Sequence, residues 1–409
     1  MLNGRFITSE DTTDNFVGIR FSDGVPQVIF PHGFAISDNE QEQRKDVFRL
    51  LAVLKRFTER MEGDKSKNAQ SLLARFPIAS YQYVIQDFLE HGYYVEKEVK
   101  YIQSLKGKVN WKRTIQQEKP QLDGDSVVYL NFQVKTNQIN DTNLITQIHR
   151  YCVYKSFYLF GWLYLSSAYL PTEPPFKMDK KLFINTLKNA LNNTFNDTKR
   201  KLFQSMINIL NEEDEETDIK NCSIGVNRFD SVWENLIDYV FGEENKDKYF
   251  PHATWHIIKS GRTSPSSALE PDTIMKYNGK IYVLDAKYYQ YGVTGSTSDL
   301  PNTSSIQKQI TYGKHIAEHF YGDSKEKVYN AFIMPFNSGG SEITKFVSVG
   351  TADWEQYNKL TFNYAYVLGI LLDTKWLISK YSKHNALEIE KMAQLIETSL
   401  LSFRQNTEN

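Results

Sequence analysis

The sequence predicts an α/β protein in two parts: an N-terminal α+β domain, then a C-terminal α/β domain whose central strands are covered on both faces. Three observations carry this. From Phe229 onward the apolar spacing reads helix, three strands, helix, strand. The strands of that stretch are apolar on both sides, as strands buried between two layers must be. A long helical stretch ending in an acidic run sets it apart from what precedes it. A chain of 409 residues is also long for a single core. The expected organisation is an N-terminal α+β domain at 1–175, a helical and acidic linker at 176–220, and an α/β domain at 221–409.

Short apolar runs on either side of Ser22-Asp23-Gly24 predict a hairpin or small sheet over 17–34. Val47, Leu50, Leu54 and Phe57 form one stripe of a helix over 41–61. Tyr81, Val84, Ile85 and Phe88 repeat the pattern, and Gly92 supplies the stop. Residues 93–101 and 127–135 alternate like strands, and 145–170 is apolar enough for a buried helix. Between them Lys106, Lys108, Lys112 and Arg113 surround Trp111, which suits a nucleic-acid or acidic partner surface and equally a charged strand edge. One helical stretch is expected over 180–210. The run Glu212-Glu213-Asp214-Glu215-Glu216 then reads most simply as solvated linker.

In the C-terminal part, Phe229, Val232, Trp233, Leu236, Ile237, Val240 and Phe241 follow helical spacing, and Gly242 ends it. Strands are expected at 254–259, 271–277 and 280–289, a helix at 305–320 capped by Ser304 or Ser305, strands at 327–334 and 364–372, and a last helix at 386–401. The hairpin is the sharpest feature. Asn278-Gly279 favours a two-residue type I′ turn, because both central positions need positive φ. With that turn Tyr277 faces Lys280, Ile274 faces Val283, Asp272 faces Asp285 and Lys287 falls opposite Glu270. Strand side chains alternate, so Asp272, Asp285 and Lys287 share one face.

Two carboxylates directly opposite one another repel in a bare sheet, and a divalent cation between them reverses the sign. A surface hairpin with acidic ends is the competing reading. Ile274, Ile281 and Val283 on one face and Met275, Tyr282 and Leu284 on the other oppose it, since a charged pair embedded in central strands needs compensation. Hard oxygen ligands bind Mg²⁺, and a lysine ammonium beside them steadies water or developing negative charge. Glu234 flanks the apolar stripe of its helix and is a candidate further ligand, directly or through water, or an ordinary boundary residue. Lys308 and Tyr312 are neighbours on one helical face with Gln309 adjacent, either contacting DNA phosphate, supporting the lysine or simply solvated. Arg262, with His256 and Lys259, either lines a phosphate path or faces solvent. His315 and His319 have zinc-like spacing but no third ligand nearby, so core or surface histidines are the expectation.

A net charge of −1 argues against a protein that coats nucleic acid through a global positive field, though not against a local basic groove. Cys152 and Cys222 are the only cysteines, too few for a disulfide framework or thiolate zinc site, and a cytoplasmic location is expected. No apolar run is long enough to span a bilayer and no signal-peptide pattern opens the chain. A Walker-type phosphate loop is missing, because Ser338-Gly339-Gly340 lacks the following Lys-Ser/Thr, so nucleotide hydrolysis by this chain is not expected.

At Asp272, Asp285-Ala286-Lys287 and the helical Glu234 the chain resembles the PD-(D/E)xK nuclease superfamily, over roughly its last 190 residues. Lys308-Gln309-x-x-Tyr312 is similar to the helix motif that many of its members place after the core hairpin. Residues 107–115, the strand around Tyr129-Leu130-Asn131-Phe132 and Ile145-Thr146-Gln147-Ile148-His149 resemble the LlaJI family of restriction endonucleases, related to McrC nuclease subunits. The resemblance implies a restriction-endonuclease-like C-terminal domain with a mixed central sheet flanked by helices. It implies Mg²⁺-dependent hydrolysis of double-stranded DNA, with Mn²⁺ as a substitute, and a role in bacterial restriction beside a McrB-like AAA+ GTPase. Asp272, Asp285 and Glu234 would then be metal ligands and Lys287 the catalytic lysine. Self-association for double-strand cleavage follows, since two strands need two centres. The alternatives are a stand-alone Type II-like restriction endonuclease and a non-catalytic DNA-binding or scaffold protein with a nuclease fold.

Overall fold

The structure, a computed structural model, describes residues 5–12, 14–62, 77–140, 143–165, 170–175, 179–212, 222–322, 324–339, 345–353, 362–381 and 383–408. It is mixed α/β, as expected, with several separate sheets. By contacts the described residues form two compact units: 23–25 with 77–212, and 5–22, 26–62 and 222–408. No helix among the described residues is long and apolar enough to cross a membrane.

The larger unit is built on a five-stranded sheet in the order Thr273–Tyr277, Lys280–Ala286, Val328–Phe336, Tyr366–Asp373, Phe346–Asp353. The first pair is antiparallel, the next two pairings are parallel, and the far edge is antiparallel again. Val328–Phe336 is buried at every position, so it is the centre of a sheet covered on both faces. Ile274, Ile281 and Val283 pack with Tyr312 and Ile316 of the helix Thr303–Ile316 on one face. On the other, Tyr277 donates to Glu390 (2.7 Å) and Tyr282 to Glu397, both on the helix Ala386–Glu408. The helix Phe229–Phe241 joins that layer, anchored by Trp233, whose buried Nε1–H donates to the Ile333 carbonyl (3.2 Å).

The N-terminal segment departs from the expected division at residue 175. Val17–Ser22 pairs antiparallel with Ser223–Val226, Val17 facing Val226 and Arg20 facing Ser223. Arg5–Thr8 adds to the same sheet beside Val25–Phe30. The helix Glu40–Glu62 buries Val47, Leu50 and Leu54 and lies against the helices Phe229–Phe241 and Thr374–Lys380. A pairing across some two hundred positions has no local signal, so a reading by composition places these strands with their chain neighbours.

The smaller unit holds a three-stranded sheet, Glu96–Gln103, Gln133–Asn140 and Lys108–Val109, with packed helices. The strand expected over 127–135 is instead two, Ser126–Val128 and Gln133–Asn140. The stretch 180–210 is also two helices, Lys180–Asn192 and Asp197–Glu212, because Asn196 caps the second by accepting from Lys199 N–H (2.9 Å). These helices are not linker. Phe183, Leu187, Leu202, Phe203, Met206 and Leu210 are buried, and the pair packs against Ile78–His91 and Leu144–Tyr164. The acidic run at 213–216 lies outside the described residues. The basic segment around Trp111 is a short helix, Trp111–Gln117, capped by Asn110, with Trp111 exposed and edge-on to Phe132.

Candidate active site

The hairpin register is the one the Asn-Gly turn dictates: Tyr277 pairs with Lys280, Ile274 with Val283 and Thr273 with Leu284. Asn278 and Gly279 have φ of 48° and 71°, both in the left-handed region that type I′ requires. The ladder stops one residue short of Asp272, which leaves that carboxylate free to turn inward. Its Oδ2 accepts the Ala286 N–H at 2.9 Å, and its carboxyl shares a hydrogen bond with Asp285. Asp285 is buried, and Lys287 Nζ lies 2.6 Å from its Oδ2. Lys287 is itself held by its backbone N–H, which donates to Ile333 O on the central strand (2.9 Å).

The loop after the helix Phe229–Phe241 fixes the other side. Gly242 N–H caps the helix on Asp238 O, Glu243 N–H donates to Ile274 O at 2.8 Å, and Lys246 bridges Asp238 (2.8 Å) and the Asp272 carbonyl. Lys246 and the Ala286 N–H therefore hold Asp272 where no sheet pairing does, and Glu243 ties the loop to Ile274 two residues on. Lys246 was not singled out by sequence, because a lysine that bonds a distant carbonyl looks like any surface lysine.

Electrostatics at the pair follow from this crowding. Burial, then the neighbouring carboxylates of Asp285 and Glu234, push the Asp272 carboxyl up to about 8, against the pull of the Ala286 N–H. Lys287 is raised from its ordinary value: burial pulls it down, and Asp285 and Asp272 more than offset that. Glu234 is exposed at the helix surface, yet its carboxyl is raised by the protein packed around it and by Asp230 and Asp285, with Lys287 opposing. Glu234 thus sits within the field of the pair. Among the described residues, however, no three His, Cys, Asp or Glu side chains converge closely enough to hold an ion between them. Asp230, four residues before Glu234, contributes to the same negative field, and its i, i+4 spacing was a legible signal passed over.

Helix Thr303–Ile316 faces the site side of the sheet and is capped by Asn302 rather than a serine, its Oδ1 accepting from Ser305 N–H (3.0 Å). Gln309 is buried and donates to Val283 O at 2.7 Å, so it supports the hairpin and does not reach solvent. Tyr312 is also buried, its hydroxyl donating to Glu270 O (3.1 Å) just upstream of Asp272. Lys308 stays exposed over the Tyr312 ring and is raised: desolvation lowers it, while Tyr312, Asp285 and Asp272 outweigh that. Arg262 is not part of the cluster; it lies near the turn of a separate two-stranded ribbon. His315 and His319 lie with ring centroids 4.1 Å apart and tilted, without a third ligand among the described residues.

Tyr288 and Tyr289, next along the chain after Lys287, line a cavity of about 600 Å³ with Arg228, Asp230 and His32, which no sequence motif announces. His32 stacks on Tyr288 at 4.7 Å and donates its backbone N–H to the Tyr288 hydroxyl (2.6 Å). The N-terminal segment therefore helps line this cavity through His32.

Paired carboxylates and a lysine on such a sheet stand in a chain similar to restriction endonucleases. The sequence model of the LlaJI restriction endonuclease family matches residues 16–362, and the chain belongs to that family. Over 360 residues it is 24% identical to the Bacillus subtilis (strain 168) protein named Type II restriction enzyme BsuMI component YdjA, covering 84% of this chain and 76% of that relative. A solved structure of Thermococcus gammatolerans McrB AAA+ hexamers with bound McrC is similar at 14% identity and a TM-score of 0.38, covering 93% of this chain and 83% of that one.

Proposed function

We propose that this chain is the nuclease of a restriction system and hydrolyses phosphodiester bonds of double-stranded DNA at Asp272, Asp285 and Lys287, on a PD-(D/E)xK-type sheet. One observation carries the reading: in a member of a restriction-endonuclease family, the half-buried Asp272 and the buried Asp285 share a hydrogen bond, with a lysine 2.6 Å from the second. The donor set fits a hard cation. Mg²⁺ characteristically takes one or two protein carboxylates and keeps several waters, and a shared proton marks the place where positive charge is wanted. When bound by Asp272 and Asp285, with Glu234 assisting from its helix, Mg²⁺ supplies polarisation of the phosphate and a more acidic water; Mn²⁺ serves in its place. Lys287 orients the attacking water and offsets negative charge growing on the phosphate. Lys308 adds positive potential from the opposite helix, and Gln309 and Tyr312 hold the hairpin still.

A McrB-like AAA+ GTPase is the proposed partner. The lack of a Walker motif in this chain supports a division of labour, and the Bacillus subtilis relative is named as one component of its enzyme. Pairing of two nuclease centres for double-strand cleavage belongs to the same reading. The test is cleavage of plasmid DNA by the purified chain with Mg²⁺, the partner and GTP. Asp272→Ala and Asp285→Ala should both be inactive and folded, and full activity in both would refute the site. Discrete fragments from the chain with Mg²⁺ alone would replace the partnered enzyme with a stand-alone one.

A further inference from the structure

Just ahead of the aspartate hairpin the chain makes another one that buries nothing. His252–Ile257 pairs antiparallel with Arg262–Ala268, Trp255 facing Ser264, His256 facing Thr263 and Ile257 facing Arg262. Leu269 N–H donates to Pro251 O at 3.0 Å and closes its base. Every residue of the first strand is exposed; Trp255 is 71% and Ile258 99% accessible. A two-stranded hairpin without a packed face is marginal in water, and exposed apolar side chains gathered on it mark a surface meant to be covered.

Its chemistry says by what. From His252 to Leu269 there is no Asp or Glu, and the formal charges are Lys259 and Arg262. Neither lies within ion-pairing distance of a carboxylate among the described residues. Opposed residues share a face, so Trp255, Ile257 and Arg262 point the same way, with Ile258 and Lys259 at the turn. Apolar side chains interleaved with uncompensated cations match a polyanion that offers sugars, base edges and methyl groups between its phosphates. A major groove about 12 Å wide admits a two-stranded ribbon, and strands of six residues reach roughly 20 Å. The second strand ends at Ala268, a few residues before Asp272.

We propose that the 252–268 ribbon is a DNA-positioning arm. It lies in a groove of duplex DNA, with Trp255, Ile257 and Ile258 against base edges and sugars and Lys259 and Arg262 on phosphates. Its attachment just before Asp272 then sets which backbone phosphate meets the aspartates. The purpose of the arm rests on the nuclease reading, whereas the DNA contact does not.

The test uses the full chain carrying Asp285→Asn, so that bound duplex stays intact, with fluorescence anisotropy of a labelled duplex from about 50 to 200 mM salt. Adding Lys259→Ala and Arg262→Ala should weaken binding about tenfold or more and reduce the slope of log affinity against log salt by about two, since each lost phosphate contact removes about 0.9. Adding Trp255→Ala and Ile258→Ala instead should weaken binding about tenfold with the slope unchanged, because apolar contacts release no counterions. Circular dichroism should match the parent in both, as neither pair touches the core. Affinity and slope equal to the parent overturn the proposal, and so does a parent that binds no duplex. A change in sedimentation with DNA binding intact makes the ribbon a protein contact and also overturns it. Intact ribbon-dependent binding in a wild-type chain that cannot cleave would break the nuclease reading and leave the arm standing; cleavage that ignores the ribbon does the reverse.

Discussion

The hairpins 252–268 and 273–286 follow one another along the chain, and each is two antiparallel strands closed by a turn containing glycine. Their surroundings differ in every respect. The second is buried on both faces, joined to the central strand and fixed from outside by Gln309, Tyr312 and Lys246. The first has no packed face and no ion pair to a described carboxylate. Local sequence sets the hairpin; what covers it sets its task. Carboxylates placed in the covered hairpin are pushed together until they share a proton, whereas cations placed in the uncovered one have no described carboxylate beside them.

Breaking the covered hairpin should have the largest effect. Asp285→Asn is expected to lower DNA cleavage by about a thousandfold or more, read as rate under saturating Mg²⁺, while duplex affinity stays close to wild type. Wild-type cleavage by this variant would remove the difference in task between the two hairpins. Lys287→Ala should cost less, on the order of a hundredfold in rate, with metal affinity retained, since it removes one donor to developing charge. A loss of metal binding in this variant would show that the lysine is structural.

Stability should move in the opposite direction to activity. Asp272 has a folded value near 8, well above the ordinary carboxylate value. Its folded form is therefore favoured most below pH 4, and that contribution is lost as pH rises through 8. Asp272→Asn keeps the acceptor for Ala286 N–H and removes the charge. Without metal it should be more stable than wild type by roughly 1 to 3 kcal/mol at pH 8, and by almost nothing at pH 4. Denaturant melts at the two pH values check this, and a variant less stable at pH 8 would contradict it. The smallest effect is expected at the turn. Asn278→Ala puts an ordinary side chain at positive φ and should cost about 1 kcal/mol, measured by the same melts, without touching Asp272 or Asp285.

The covered hairpin was also the most legible part of the sequence. Asn278-Gly279 fixed the register, and period-two alternation then placed Asp272, Asp285 and Lys287 together without tertiary information. Helix Phe229–Phe241 was legible for the same reason, since one apolar stripe and a stopping glycine define it. The edge strand Phe346–Asp353 was not. It is only half-buried, and the bulge between Ser348 and Gly350 breaks its alternation. Strands Arg5–Thr8 and Ser223–Val226 are four residues each and make sense only as partners of distant segments. Helix Thr374–Lys380 is short and announced mainly by its Asp373 cap, which donates no periodicity. Within the site, sequence named the groups that carry charge, but Lys246 there and the His32–Tyr288 contact at the neighbouring cavity act through backbone atoms and stacking that no motif encodes.

The most direct test of the covered hairpin as a metal-binding nuclease centre is calorimetric titration of Mn²⁺ into the wild-type chain and into Asp285→Asn, at pH 6 and pH 8. Because the cation must displace the proton held at Asp272, wild-type affinity should be greater at pH 8, with proton release at pH 6 seen as a dependence of heat on buffer. Asp285→Asn should lose most of that binding at both pH values. Equal Mn²⁺ binding by wild type and variant, or none by wild type, would contradict the account.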